Sequence, residues 1–341
     1  MNFRSDNTAG AHPAILEALA KANEGHALSY GDDDWTRRLE GAFRDLFGQK
    51  VAVFLTATGT AANAISLAAM APPWGAIFCH REAHVETDEA GAPEFFSGGA
   101  KLVLIDGAHA KITPEGLEEA LTRNLRGVHS VKAAALTLTQ CTERGASYTA
   151  EEIARLADVA HRENIGVHVD GARFANAVAY LGATPRSLTI DAGVDVMSFG
   201  ATKNGALAAE AILVFEPKRV DEIARRRKRG GHLLSKHRFV AAQMLAYLEN
   251  GLWLHNAARA NGLAQRIAQA AGDWVSAPAE SNHVFLKAGV DALAKLRAAG
   301  AEFYDWGAPG SGEARLVVAW NQSEADVDSF CALVRALRSQ G

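Results

Sequence analysis

Three short stretches of the 341-residue chain carry residue types that cofactor or acid–base chemistry requires. In Phe54-Leu55-Thr56-Ala57-Thr58-Gly59-Thr60-Ala61-Ala62-Asn63, an apolar run gives way to small and hydroxyl-bearing residues and then to a helical pattern. Free backbone N–H groups at such a helix start, with threonine hydroxyls beside them, make a phosphate site. The nucleotide motifs Gly-x-Gly-x-x-Gly and Gly-x4-Gly-Lys-Ser/Thr are absent here, which leaves an ordinary strand-to-helix turn as the alternative. His168-Val169-Asp170-Gly171-Ala172-Arg173 puts a carboxylate just past a buried strand, where sites in open α/β sheets collect. A buried Asp must be paired or hydrogen-bonded. Its partner is either Arg173, as a structural pair, or a protonated ring nitrogen. Ser198-Phe199-Gly200-Ala201-Thr202-Lys203-Asn204-Gly205-Ala206 sets a single lysine among small residues after another apolar run. A lysine in low dielectric loses its charge easily, as Schiff-base chemistry needs, whereas a solvated loop lysine does not.

Each signal alone is weak, but their order is specific. A phosphate cradle, then a strand-end Asp, then a Lys match pyridoxal 5'-phosphate, which has a phosphate to hold, a pyridinium to pair and an aldehyde to trap. Two other patterns point elsewhere and are weaker. His80 and His84 stand four apart, but the zinc hydrolase motif needs Glu directly after the first His and Arg81 occupies that place, so no metal is expected. Arg225-Arg226-Arg227-Lys228-Arg229 is one short basic cluster, read as a solvated helix face or a local anion site rather than a nucleic-acid patch.

The elements that must position these groups follow from apolar patterning. Strand-length apolar runs recur at Val51–Leu55, Ile77–Cys79, Leu102–Ile105, Ala133–Thr139, Val167–Val169, Val194–Phe199 and Ile212–Phe215. Continuous rather than alternating runs mark strands covered on both faces, and their alternation with helical stretches predicts an α/β fold built on a mostly parallel, seven-stranded sheet. Helices are expected from Pro114 to Leu121 and from Thr149 to Glu163, the latter opening on the capping-box pattern Thr149-Ala150-Glu151-Glu152. A long helical stretch from about Phe239 to Ala271 and short strands at His283–Lys287 and Arg315–Ala319 suggest a smaller α+β unit. The expected division is residues 1–230 for the large domain and 231–341 for the small one.

Composition sets the outer bounds. With 48% hydrophobic and 22% charged residues and a net charge of −4, the chain falls in the soluble globular range, and its length fits about two domains. No stretch approaches the roughly 20 apolar residues of a membrane span; the longest candidate, Ala61 to Trp74, reads as a buried helix. The first residues carry no secretory signal pattern. Cys79, Cys141 and Cys331 are odd in number and widely spaced, which fits reduced thiols in a cytoplasmic protein.

With these residues in view, the chain resembles the L-threonine aldolases, within the aromatic amino acid β-eliminating lyase/threonine aldolase group of the aspartate aminotransferase superfamily (fold type I). The likeness includes Arg4-Ser5-Asp6-Asn7, Tyr30-Gly31-Asp32-Asp33, Thr58 to Asn63, His84 with Asp88-Glu89-Ala90-Gly91, His168 to Arg173, and Arg315-Leu316-Val317. Ser198 to Gly205, Thr139 to Glu143 and Gly231 to Arg238 are similar to the branch holding low-specificity threonine aldolases and phenylserine aldolases. The resemblance implies a lyase that cleaves L-threonine, L-allo-threonine or related β-hydroxy-α-amino acids to glycine and an aldehyde. It implies pyridoxal phosphate bound as a Schiff base on Lys203, Asp170 on the ring nitrogen, Gly59 and Thr60 on the phosphate, and His84 against the ring and near the substrate hydroxyl. Ser5, Arg173 and Arg315 would bind the substrate carboxylate. The family's homodimers or homotetramers have active sites at subunit interfaces, so Tyr30 and Lys236 would reach in from the neighbouring chain, Lys236 toward the phosphate. Two departures stand out. The Ser-Lys pair of the better-known branch is Thr202-Lys203 here, and a Thr-His pair is Thr142-Glu143, so Glu143 would stand near the substrate hydroxyl. Phenylserine cleavage, threonine transaldolase exchange and β-elimination are the alternatives the same cofactor set allows.

Overall fold

The protein is described by a computed structural model that covers residues 1–123 and 127–339. All seven apolar runs become strands of one sheet: β1 (Ala52–Thr56), β2 (Gly75–His80), β3 (Lys101–Ile105), β4 (Lys132–Thr139), β5 (Gly166–Gly171), β6 (Val196–Gly200) and β7 (Glu210–Val214). Their order is β1-β7-β6-β5-β4-β2-β3. The pairs from β3 through β6 are parallel, while β7 is antiparallel to both β6 and β1. Only β7 therefore runs against the rest.

Both faces of the sheet are covered, as the continuous apolar runs require. Neighbouring residues of one strand go to opposite sides. Ile77 and Cys79 pack with Ile65 and Leu67 of helix Gly59–Met70, whereas Ala76 and Phe78 join the larger core with Leu156 and Phe174. Helix Gly59–Met70 is buried almost throughout and is the expected apolar segment. The helix predicted from Thr149 forms over Ala150–Arg162, with the Thr149 and Glu152 side chains and backbone N–H groups bonded reciprocally, an arrangement that fixes its start.

A second sheet, in the order β8-β10-β9, is built from β8 (His283–Lys287), β9 (Tyr304–Trp306) and β10 (Glu313–Val317). β9 is too short to show in apolar patterning. This sheet has its own core, in which Val284, Leu316 and Phe330 pack with Ile267 and with Phe3 from the chain start. Residues well past 231 still join the large core. Val240, Met244, Tyr247 and Trp253 all belong to the large core, and Leu263 is the first residue of the long helical stretch to join the small one. That stretch is also interrupted. Helices Arg238–Leu248 and Leu252–Ala271 are separated by a turn in which Asn250 (φ 55°) and Gly251 (φ 69°) take the left-handed conformation, the one Asn and Gly adopt most readily. Helix Leu252–Ala271 thus spans both cores and ties the two sheets together. No described helix is long and apolar enough to cross a membrane.

Candidate active site

The C-terminal ends of the parallel strands open into a cavity of about 680 Å³. It is lined by Gly59 and Thr60 after β1, His84 after β2, Glu143 after β4, Asp170 and Arg173 at and after β5, and Lys203 after β6. Ser5 from the chain start and Arg315 from β10 complete the wall. Nine expected site residues therefore meet in one place. Tyr30 and Lys236 do not line it. They lie close to each other elsewhere, where the Tyr30 N–H donates to the Ser235 carbonyl (3.0 Å) and the Tyr30 ring, 49% exposed, meets the Lys228 ammonium.

At the helix start the Thr58 side chain accepts from the Ala61 N–H. The N–H groups of Gly59 and Thr60 have no acceptor among the described residues. A Cβ placed at Gly59 would meet nothing within 4 Å, so the backbone there is open to an anion.

Asp170 is buried, with Oδ1 accepting from the Ala172 N–H (3.0 Å) and Oδ2 from the Asn63 amide (2.9 Å). Burial alone would raise its carboxyl. His84, Lys203 and the two hydrogen bonds outweigh burial and hold it below the ordinary carboxylate range. The same Asn63 nitrogen donates to Glu89 Oε1 (2.8 Å), which also accepts from His84 Nδ1 (2.8 Å). Donating from Nδ1 to Glu89 raises the His84 pKa above its usual value against the opposing effect of burial. His84, Glu89 and Asp170 are close enough to share a cation, but the Asn63 amide already bridges the two carboxylates. His80 is engaged elsewhere: its Nε2 bonds the Gly107 carbonyl and its Nδ1 accepts from the Glu82 N–H.

Arg173 does not pair with Asp170. It makes a two-pronged contact with buried Asp6 (2.7 and 2.9 Å), which also accepts from Asn282. Although burial opposes it, Arg173 brings the Asp6 carboxyl down to about 2. Among the described residues Arg315 has no acidic partner; its Nε is buried without a hydrogen bond, and its guanidinium lies 4.8 Å from the Trp306 ring centroid. Trp306 in turn lies 5.7 Å from Arg144, which bonds Glu82 of the large domain and Glu313 of β10. This clasp sets Arg315 over the cavity. Lys203 makes no hydrogen bond or ion pair among the described residues; burial and nearby Arg173 lower its pKa. Glu143 Oε1 accepts the His84 N–H (2.8 Å), Oε2 is buried without a partner, and burial raises its carboxyl to about 7.

Asn63, Asp6 and Glu89 stand inside motifs that gave them no expected role, and His283 and Glu210, which line the cavity, were not among the expected site residues. His283, 2% exposed with neither ring nitrogen bonded, starts β8 and carries no local signal. All three cysteines are free and buried, and burial raises each thiol, so none is a reactive nucleophile. In the basic cluster, Arg225 and Arg226 pair with acids one turn back, the solvated face expected, while Arg227 turns inward to the Leu55 carbonyl and His237.

A profile of the family described as beta-eliminating lyase matches residues 2–289. The chain belongs to this family. Among family relatives, the low specificity L-threonine aldolase of Pseudomonas sp. (strain NCIMB 10558) is 41% identical over 99% of this chain and 98% of its own length. The threonine aldolase of Leishmania major has the same fold, with a TM-score of 0.92 at 24% identity over 98% of this chain and 99% of that one. Oryza sativa TDC, solved with PLP and tryptamine, superposes with a TM-score of 0.75 at 14% identity over 99% of this chain and 83% of its own. The chain is thus a lyase of this family, and the α/β fold with a mainly parallel sheet is shared with these structures.

The Asp6–Arg173 pair supports a stability prediction. Asp6→Asn leaves a buried guanidinium without its counter-charge and is expected to destabilise the fold by about 3 kcal/mol, read as a lowered urea midpoint. An unchanged midpoint would show that Arg173 finds another acceptor.

Proposed function

We propose that the cavity binds pyridoxal 5'-phosphate and cleaves β-hydroxy-α-amino acids of the L-threonine and L-allo-threonine type to glycine and an aldehyde. The observation that carries this reading is the facing pair of an unpaired, buried Lys203 and a buried, ionised Asp170, with free helix-start N–H groups beside them. The donor set fits the cofactor: the free N–H groups of Gly59 and Thr60 for the phosphate, the ionised Asp170 for the ring nitrogen and the unpaired Lys203 for the aldehyde. When bound, the cofactor supplies an electron sink conjugated with the substrate nitrogen.

The chain's own residues then choose which bond breaks. Arg315, unpaired and stacked on Trp306, is the main anchor for the substrate carboxylate, with Ser5 and the free Nη1 of Arg173 beside it. Fixing the carboxylate orients the Cα–Cβ bond, which is the geometric part of the selection. Glu143 Oε2, unpartnered and held near neutrality, takes the proton of the β-hydroxyl, with His84 beside it. Tyr30 and Lys236, adjacent on the surface and outside this cavity, would complete the cavity of a second copy in a homodimer or homotetramer.

The direct test is glycine release from L-threonine, L-allo-threonine and L-phenylserine by the cofactor-loaded protein. Ammonia with an oxo acid in place of glycine would overturn the reading in favour of elimination, and aldehyde exchange without net glycine would favour a transaldolase. A pH prediction follows for the base. Glu143 must be ionised to accept a proton, so kcat/KM should fall about tenfold per pH unit below about 7. Glu143→Gln should lose roughly 10²-fold in kcat/KM and also lose that acid limb. If the limb survives in the variant, Glu143 is not the group whose ionisation sets it.

A further inference from the structure

β7 is the one strand of the large sheet that runs against the others, so its first residue lies where the others end. That residue is Glu210. The register puts it opposite Thr56 at the end of β1 and Gly200 at the end of β6. It is buried, lines the same cavity as Lys203, and forms no ion pair among the described residues. A buried carboxylate without a cation is costly and calls for a reason. The other acids near Lys203 already have partners: Asp170 accepts from Ala172 and Asn63, and Asp6 is held by Arg173 and Asn282. Lys203 likewise has no ion-pair partner within 4 Å among the described residues. Glu210 is hydrogen-bonded by Thr202, the neighbour of Lys203 in the chain, and shares the cavity with the lysine within Coulomb range, although the two form no ion pair among the described residues.

We propose that Glu210 is a positioning residue that acts through Lys203: its charge sets how firmly the lysine nitrogen holds its proton, so that the two groups titrate as a coupled pair. This rests on the reading of Lys203 as the Schiff-base residue. The charged and titratable groups facing the pair are few. Lys203 is faced by Arg173, Asp6, Asp170, His84 and His283, and Glu210 by Asp170 and Tyr247. Burial pushes the Glu210 carboxyl up to about 7, against the opposing pull of Thr202 and Lys203. Below that pH the acid is neutral and the Lys203 ammonium loses a stabilising charge. Above it the carboxylate holds the proton on the lysine. An amine that must alternate between a neutral nucleophile and a proton carrier gains from a partner that titrates in the working range.

The test reads Lys203 directly in the cofactor-free protein, by competitive labelling with acetic anhydride across pH and mass spectrometry of the Lys203 peptide. In Glu210→Gln the labelling midpoint should fall by about one pH unit, the low end of the effect of a nearby charge. Glu210→Asp, which restores the charge, should move it back. A Glu210→Gln midpoint equal to that of the wild type overturns the proposal, and so does a Glu210→Asp midpoint equal to that of Glu210→Gln. Should Glu210→Gln not fold, the wild-type profile decides: a second inflection near neutral pH supports the coupling and a single simple titration overturns it. Borohydride reduction of the cofactor-loaded wild type keeps the two readings apart. Absence of a reduced cofactor adduct on Lys203 would refute the site assignment, whereas an adduct together with unshifted labelling refutes only the role of Glu210.

Discussion

Lys203→Ala is expected to lower kcat for glycine release by on the order of 10⁴-fold, the scale on which removing a covalent catalytic group acts. The structure separates this loss from any loss of folding. Lys203 makes no hydrogen bond or ion pair among the described residues, and its buried ammonium is a cost rather than a contact. The variant should therefore unfold at the same or a higher temperature than the wild type. Cofactor binding should weaken but persist, because the Gly59 and Thr60 N–H groups and Asp170 remain. Small primary amines added to the assay should restore part of the rate, since the site lacks only a nitrogen. Turnover within tenfold of the wild type, or a collapse of thermal stability, would show that Lys203 has a different task.

The groups that were legible in the sequence share one property: each follows a strand buried on both faces. Asp170 and Lys203 stand at the ends of apolar runs, and the turn at Gly59 and Thr60 separates such a run from a buried helix, so composition alone locates them at one edge of a parallel sheet. What was not legible depends on pairing between distant segments. Asp6 and Arg173 are 167 residues apart, and Arg144 and Glu313 are 169 apart. No periodicity connects such residues, because they belong to different elements brought together by tertiary packing. Arg173 accordingly read as a possible partner of Asp170 and is instead committed to Asp6. Glu210 was hidden for another reason. An acid at the start of an apolar run reads as the solvated end of a strand, and only the reversed direction of β7 carries it into the cavity. Helix Leu252–Ala271 contributes to both cores and shows no change of texture where it passes from one to the other, so apolar patterning marks no division along it.

Asp170→Asn should be nearly as damaging as loss of the lysine, by on the order of 10³-fold in kcat, although it changes one atom. Asp170 serves as an acceptor on both oxygens, from the Ala172 N–H and from the Asn63 amide. An Asn side chain can accept on one side only and must present its NH₂ to a donor on the other. If Asn63 turns away to relieve that clash, it gives up its second bond, to Glu89, and with it the arrangement that holds Glu89 against His84. The local damage thus spreads from the ring-nitrogen side of the cavity to the residue beside the substrate hydroxyl. The electrostatic loss is separate, because a neutral amide cannot hold a proton on a pyridine nitrogen as a carboxylate does. Asn63→Ala distinguishes the two contributions. It removes the link to Glu89 while leaving Asp170 charged and hydrogen-bonded to Ala172, so it should cost less than Asp170→Asn. Linkage gives a further check without turnover. The Asp170 carboxyl lies below its ordinary value in the fold, so its contribution to stability is present above the unfolded-state pKa and is lost as pH falls through the lower folded-state value. Asp170→Asn should flatten that acid-side dependence in the cofactor-free protein. Equal acid sensitivity in variant and wild type, with turnover within tenfold, would mean that Asp170 is neither ionised nor the group that faces the cofactor ring.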